Sequence, residues 1–281
     1  MKSDATEFYP AALTIAGSDS GGGAGIQADL RTFAAFGVFG CSAITAVTAQ
    51  NPQAVSRVDA IPAAGVEAQI KAVLSKIAVR SLKTGMLFNA AIIETVSKAL
   101  AGKNLVFVLD PVMVSSSGAR LLEEDAVSVL ADKLMPLADW ITPNVPEAEL
   151  LLGRKIRNND DALAAVAEFG KRWDCSVILK AGHLEQEGEA TDLVYHQDKI
   201  YELSSPRVPD SSAAHGTGCT LSSALTAAFA LDIPWKKALR MAKGFVYGSL
   251  SEYVNIGAGI EAMYPPAESY QGKTSLTRVE N

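Results

Sequence analysis

The sequence predicts an α/β fold in which a central, mostly parallel sheet carries helices on both faces. Three observations predict it. Short β-branched runs alternate down the chain with segments of helical spacing. The runs are near-continuously apolar, as strands covered on both sides must be. No linker, repeat or shift of composition divides the 281 residues, so the chain reads as one domain, with a core over about residues 11–262 and a polar tail.

The elements follow in order. The first run covers residues 12–16 and is followed by a helix whose inward face is marked by Ile26, Leu30, Phe33 and Gly37, with Asp29 on that same face by the three-and-four spacing. Residues 42–48 form the second run. The stretch 33–56 carries no charge, but Gly37, Gly40, Thr45, Gln50 and Pro52 break it into pieces too short to span a bilayer, and it reads as buried core. Val66, Ile70, Val73, Leu74 and Ile77 mark a helix before a weaker run at 81–83; Ile92, Val96 and Leu100 mark the next before the run 105–109. Val127, Leu130 and Leu134 precede the run 139–141, and Leu163, Val166 and Ala167 precede the run 176–179. Runs at 192–196 and 199–203, parted by a short polar turn, read as a hairpin appended to the sheet. Helices at 218–230 and 235–250 follow, the first small or apolar all round and therefore buried; the tail after Pro265 and Pro266 reads as frayed.

With 48% hydrophobic and 20% charged residues the chain has ample apolar side chain for a core, which excludes wholesale disorder. The balance of 25 basic against 31 acidic residues, with no basic run, excludes a phosphate-backbone track and makes nucleic acid an unsuitable partner. Cys41, Cys175 and Cys219 lie far apart without a CxxC spacing, which fits a reducing cytoplasm rather than a disulfide framework or a thiolate zinc site. The residues before the first run lack an apolar targeting segment.

The densest motif is Gly17-Ser18-Asp19-Ser20-Gly21-Gly22-Gly23-Ala24-Gly25, between the first strand and the first helix, where helix-terminal amides can receive an anion. It is not a Walker A loop, because Gly23 and Ala24 stand where Lys and Ser/Thr are required. Gly23, Gly25 and Ala28 match GxGxxA, a dinucleotide fingerprint, yet residues 41–50 hold no acid to take a ribose. Asp29 needs a partner, either the helix's free amides or a polar ligand in a cleft.

A second motif, His215-Gly216-Thr217-Gly218-Cys219-Thr220, opens the buried helix. Its glycines allow a tight turn that aims consecutive N–H groups at one point, a nest suited to a phosphoryl group in transit. Cys219 in the first turn would gain from the helix dipole, which favours a thiolate and lowers its pKa from about 8.5; the alternatives are a small core residue or a Cys219–His215 hydrolase pair. Asp110, Asn144, Glu147 and Lys180 fall at strand ends, where open α/β sheets place ligands. The oxygens suit Mg²⁺ carried by a nucleotide, and the lysine a phosphate; the competing readings are turn and helix-cap punctuation and a solvated lysine. His183 and the other histidines have no metal-ligand spacing and read as satisfied polar residues.

Together these segments, with Ala11-Ala12-Leu13-Thr14-Ile15-Ala16, Gly25-Ile26-Gln27-Ala28-Asp29-Leu30, Lys83-Thr84-Gly85-Met86-Leu87, Asp110-Pro111-Val112-Met113 and Thr142-Pro143-Asn144, resemble hydroxymethylpyrimidine/phosphomethylpyrimidine kinase from about residue 11 to residue 250. The resemblance implies a ribokinase-like three-layer sandwich and an ATP- and Mg²⁺-dependent kinase of thiamine biosynthesis. Such an enzyme phosphorylates the hydroxymethyl group of 4-amino-5-hydroxymethyl-2-methylpyrimidine and then the resulting monophosphate. It further implies an anion hole at Gly216, Thr217, Gly218 and Cys219, with Cys219 catalytic; a phosphate contact at Lys180; and a magnesium and phosphate region at Asp110, Asn144 and Glu147. Gln50 would read the pyrimidine beside Gly17, Asp29 and Met86. A glutamine amide complements the amino and ring-nitrogen edge of a 4-aminopyrimidine, an edge that pyridoxal, the substrate of near relatives, does not present. A homodimer is implied, and a monovalent cation is admitted. Residues 115–119 lack the lysine and acid that many members carry around Gly118. A dinucleotide-dependent oxidoreductase, a thiol hydrolase and a catalytically silent binding module are the competing classes.

Overall fold

The computed structural model describes residues 8–114, 118, 120–181, 188–209, 212–257 and 259–280. Strand β1 (Ala11–Asp19) leads to α1 (Gly25–Ala35), β2 (Phe39–Asn51), β3 (Ala54–Ala60), α2 (Ala63–Leu74), β4 (Val79–Thr84), α3 (Ala90–Leu100), β5 (Val106–Leu109) and α4 (Ala126–Val129). The chain continues as β6 (Trp140–Ile141), α5 (Val145–Leu152), α6 (Asn159–Trp173), β7 (Ser176–Leu179), β8 (Glu189–His196) and β9 (Lys199–Pro206). Helices α7 (Thr217–Ala230) and α8 (Trp235–Ser251) follow, then a small ribbon of β10 (Val254–Asn255) and β11 (Glu261–Ala262), and finally β12 (Ser275–Arg278).

One sheet of ten strands runs in the order β12-β9-β8-β7-β6-β5-β4-β1-β2-β3. Its centre, from β7 to β2, is parallel. The hairpin β8/β9, β12 and, at the opposite margin, β3 are antiparallel. Neighbours alternate across the sheet by the pleat: Leu13, Ile15, Leu82, Phe107 and Leu109 face a core shared with α2, α3 and α6, whereas Ala12, Val108, Ile178 and Val194 face α1, α7 and α8. The strand order reverses at β1, which pairs with β2 on one side and β4 on the other. A crevice opens beyond the carboxyl ends of the strands at such a reversal.

The weak run at 81–83 is a strand, as its pattern predicts, and an interior one, paired to β1 and β5, with Lys83 within it wholly buried. Two other expectations change. The uncharged stretch is core only in part, because Phe39 and Val47 on β2 are exposed although both pair with β1; the polar β3 pairs with the later half of β2. The tail is not frayed. Tyr270 packs where Gly244 and Gly248 leave room on α8, its hydroxyl donates to Glu252, and β12 joins the sheet beside β9.

Candidate active site

A cleft of about 820 Å³ lies at the carboxyl edge of the sheet, lined among others by Gly17, Gln50, Met86, Asp110, Lys180 and Cys219. Its roof begins with the glycine loop, residues 20–24. Asp19, the last residue of β1, turns that loop by accepting from the Gly21 amide on Oδ1 and the Ala24 amide on Oδ2, each at 2.8 Å. Gln27 reaches back from α1, accepting from the Asp19 amide and donating to Ser18 Oγ. Close approach explains the glycines: a Cβ on Gly25 would lie 2.4 Å from the Gly17 carbonyl oxygen.

The second glycine turn packs directly onto the first. Gly216 has φ +87°, and a Cβ there would lie 2.0 Å from the Gly23 carbonyl oxygen. Just before it, His215 Nε2 stands 3.2 Å from Asp19 Oδ2 and 3.2 Å from the Gln50 carboxamide. Thr48 Oγ1 lies 3.0 Å from the Ser18 carbonyl and 3.1 Å from the other end of that carboxamide. Thr48, Gln50, His215 and Asp19 thus form one polar network that ties the end of β2 to both glycine turns. Burial raises the Asp19 pKa, but His215 and the Ala24 and Gly21 amides outweigh it and hold the carboxyl below the ordinary value.

Helix α7 starts at Thr217, and Thr220 N donates to the Gly216 carbonyl. The amides of Thr217, Gly218 and Cys219 have no acceptor within the helix, as at any helix start, and these three residues line the cleft. A Cβ on Gly218 would lie 3.0 Å from Lys180 Nζ, so the ammonium sits against this helix start. The Gly25 amide of α1 donates to the Cys219 sulfur. Two helix N-termini therefore meet at one half-buried thiol.

That thiol is not the thiolate that position in the helix predicts. Desolvation dominates and pushes its pKa up to about 11, Lys83 pulling it down and Asp29 and Asp110 adding to the rise. The hydrolase alternative loses its pair as well, since His215 is turned to Asp19 and Gln50. The GxGxxA match likewise has another use: Gly23 makes room for His215, whose Cδ2 would lie 2.6 Å from a Cβ there.

Behind the start of α7 runs a chain of alternating charge. Asp110, buried, accepts from Lys180 Nζ at 2.9 Å and Thr142 Oγ1 at 3.1 Å. Lys180 also stands 4.0 Å from Glu147. Burial opposes the ionised Asp110, but Lys180 and Lys83 hold it below its ordinary value. Glu147 is pushed up to about 7 by desolvation, with Lys180 opposing and Asp110 adding. Lys180 is held well above the ordinary lysine value: desolvation works against it, and Asp110 and Glu147 win.

Asn144 has a second role. Its Oδ1 accepts from the Glu147 amide while Glu147 Oε2 accepts from the Asn144 amide, a capping box that starts α5. The amide oxygen that the resemblance assigns to the magnesium region therefore also serves as a helix cap, and Asn144 lines the cleft beside Glu147. Asp110 and Glu147 remain as carboxylates on the cleft, and one or two carboxylates plus substrate phosphates are the usual holders of Mg²⁺. Those two residues fit a nucleotide-borne ion.

Asp29 is a correction. It faces no cleft. Its side chain is fully buried and paired with Lys83 Nζ at 2.8 Å, with Thr14 Oγ1 at 2.6 Å and Ser223 Oγ at 2.5 Å also donating. Lys83, which pairs with Asp29 behind the site, had no role assigned from sequence, and Asp19 and His215 stood there only as motif members and, for His215, as half of a hydrolase pair. A lone lysine inside an apolar strand, opposite an inward aspartate, was the available signal for the first. His183 and residues 115–117 and 119 lie outside the described residues.

The family described as phosphomethylpyrimidine kinase matches residues 19–264. The hydroxymethylpyrimidine/phosphomethylpyrimidine kinase of Haemophilus influenzae is 49% identical over 251 residues, covering 88% of this chain and 93% of its own. Among solved structures, the pyridoxal kinase from Staphylococcus aureus in complex with AMP-PCP and pyridoxal superposes with a TM-score of 0.86 at 31% identity, covering 97% of this chain and all of its own. The phosphomethylpyrimidine kinase from Clostridium difficile gives 0.74 at 40% identity, with 84% and 97% covered. With these sequence matches over most of its length, and with the ribokinase-like architecture its neighbours share, the chain belongs to the phosphomethylpyrimidine kinase family.

Proposed function

We propose that the cleft transfers the γ-phosphoryl group of ATP to the hydroxymethyl group of 4-amino-5-hydroxymethyl-2-methylpyrimidine, and then to the monophosphate so formed. One observation carries the reading: the start of α7, the Gly25 amide and the Lys180 ammonium lie together around Cys219, in a cleft that Gln50, Met86 and Gly17 also line. Phosphoryl transfer is mostly positioning and charge stabilisation, and this cluster supplies both. Lys180 draws the donor's phosphates to the mouth of α7. The amides of Gly216, Thr217, Gly218 and Cys219 take up the negative charge as the group crosses. Asp110 and Glu147 would hold Mg²⁺, which when bound neutralises phosphate charge. AMP-PCP, an ATP analogue, in the staphylococcal neighbour supports a nucleotide donor. Homodimer formation stays part of the proposal. No described helix is long and apolar enough to cross a membrane.

Cys219 takes the proton of the first acceptor. The first acceptor is an alcohol that must lose a proton, whereas the second is a phosphate monoester already largely ionised near neutrality, its second pKa being about 6. With the thiol at about 11, the thiolate fraction grows about tenfold per pH unit below that value. The first transfer should therefore accelerate with pH from 7 to 9 by a comparable factor, and the second should not. Any ionisation on the donor side affects both transfers alike, so the difference between the profiles isolates Cys219. Cys219→Ala should slow the first transfer more than the second. Single-turnover rates for both acceptors check this; equal losses and parallel profiles remove the base role.

Pyridoxal is the second candidate acceptor, favoured by the fit to the staphylococcal structure. Gln50 weighs against it, because its carboxamide lines the cleft and complements the aminopyrimidine edge. Gln50→Leu should raise the KM for the pyrimidine by the equivalent of about 1 to 3 kcal/mol and leave any pyridoxal turnover unchanged. ADP release measured with hydroxymethylpyrimidine, its monophosphate and pyridoxal decides between the acceptors; no ADP with any of them defeats the kinase reading.

A further inference from the structure

The buried pair Lys83–Asp29 has no part in the phosphoryl chemistry above, yet it is bonded into the two helices that meet at Cys219. Gly25 and Asp29 stand one turn apart on α1, and Cys219 and Ser223 one turn apart on α7, so each pair shares a helix face. The two faces meet bond for bond. The Gly25 amide donates to the Cys219 sulfur, and Ser223 Oγ donates to Asp29 Oδ1. Lys83 on β4 completes the set: its Nζ lies 2.8 Å from that same Oδ1 and 3.7 Å from the position a Cβ would take on Gly85, which lines the cleft. The ammonium is thus sealed from solvent directly behind a cleft residue. Joining α1 to α7 does not require charge, since well-packed apolar residues of similar size hold helices at least as well.

The thiol is faced by Lys83 from β4, Asp29 from α1, Asp110 just beyond β5 and Lys180 just beyond β7. Lys180 is bonded to Asp110 and lines the cleft, whereas Lys83 lies where no phosphate reaches it. Burial works against the Lys83 charge, but Asp29, Cys219 and Asp110 hold its pKa above the ordinary lysine value. Resting on the reading of Cys219 as the proton acceptor, we propose that Lys83, anchored by Asp29, is a positioning residue that favours the thiolate form of Cys219 for the first transfer. In that transfer the acceptor's hydroxyl proton passes to the sulfur while its oxygen bonds to the γ-phosphorus and the bond from that phosphorus to ADP breaks. Negative charge on the sulfur is stabilised by the Lys83 ammonium through the protein interior, where a charge acts more strongly than across water. Asp29, through Ser223, keeps α7 in register with Gly25.

The test uses the Asp29→Asn/Lys83→Met double variant, which removes both charges and retains an acceptor oxygen for Ser223. On the thiol the pull of Lys83 exceeds the push of Asp29, so the thiolate becomes rarer. Alkylation of Cys219 by iodoacetamide at pH 8, followed by peptide mass spectrometry so that Cys41 and Cys175 are counted apart, should slow at least about threefold, because the thiolate is the form that reacts. The single-turnover rate of the first transfer should fall by a similar factor, while the second moves less than about twofold. In the Cys219→Ala background the same two substitutions should leave the first transfer within about twofold of Cys219→Ala alone, since the group they act through is gone. Asp29→Leu/Lys83→Met carries the same readouts should the first variant not fold. An unchanged alkylation rate, a loss shared equally by both transfers, or a loss that adds in full to that of Cys219→Ala overturns the assignment and leaves the pair a structural clamp. Equal slowing of both transfers by Cys219→Ala itself strikes the base reading instead, and the alkylation rate still decides whether Lys83 acts on the thiol.

Discussion

Asp29→Ala should unfold about 10 °C below the parent chain in a calorimetric scan. The change leaves the Lys83 ammonium sealed in the core with its counter-charge gone, and breaking one side of a buried pair costs about 3 to 5 kcal/mol against a total stability of roughly 5 to 15. Thr14 and Ser223 lose their acceptor at the same time. Asp29→Leu/Lys83→Met should recover much of the loss, because two apolar side chains remove both charges together. If Asp29→Ala melts within about 2 °C of the parent, the pair is not sealed as described here. A substrate-binding Asp29 would give the opposite pattern, a raised KM at unchanged melting temperature.

Gly216→Ala should cut kcat for both acceptors by about 10² to 10³, the order seen when an oxyanion donor is lost. The added carbon would meet the Gly23 carbonyl at 2.0 Å, so the two glycine turns must part and the amides at the start of α7 lose their common aim. Gly102→Ala is the control. Gly102 has a similar φ of +71° with nothing within 4 Å of its Cβ position, so that substitution carries the conformational penalty alone, about 1 kcal/mol. Activity retained in Gly216→Ala at the level of Gly102→Ala would separate the contact between the turns from catalysis.

Much of this was legible in the residues. Near-continuous apolar runs announced the parallel strands, and the all-round small surface of α7 announced its burial, because those features depend on local pattern. The glycine loop and the turn at Gly216 were legible as motifs, though not their contact, which joins residues nearly two hundred positions apart. Charge was the poorest guide. Asp29 was placed on the inward face by spacing, but its partner Lys83 sits in a run too short to read with assurance. Asn144 carried oxygen chemistry that served equally as ligand or cap, and only the reciprocal bonds with Glu147 show the cap. Cys219 shows the competition of two terms: a helix start favours the thiolate, and loss of water opposes it more strongly. Sequence position reveals the first term and conceals the second.

The outermost strand has a consequence for anyone handling the protein. By pairing Ser275, Leu276, Thr277 and Arg278 with β9, the tail occupies a ladder of main-chain groups that would otherwise be open to any extended polypeptide. Trimming that segment should leave the chemistry's residues in place yet expose a sticky margin, and precipitation rather than inactivity would be the first symptom. A purification handle fused beyond it would tug on a structural strand, which argues for placing such handles at the other end.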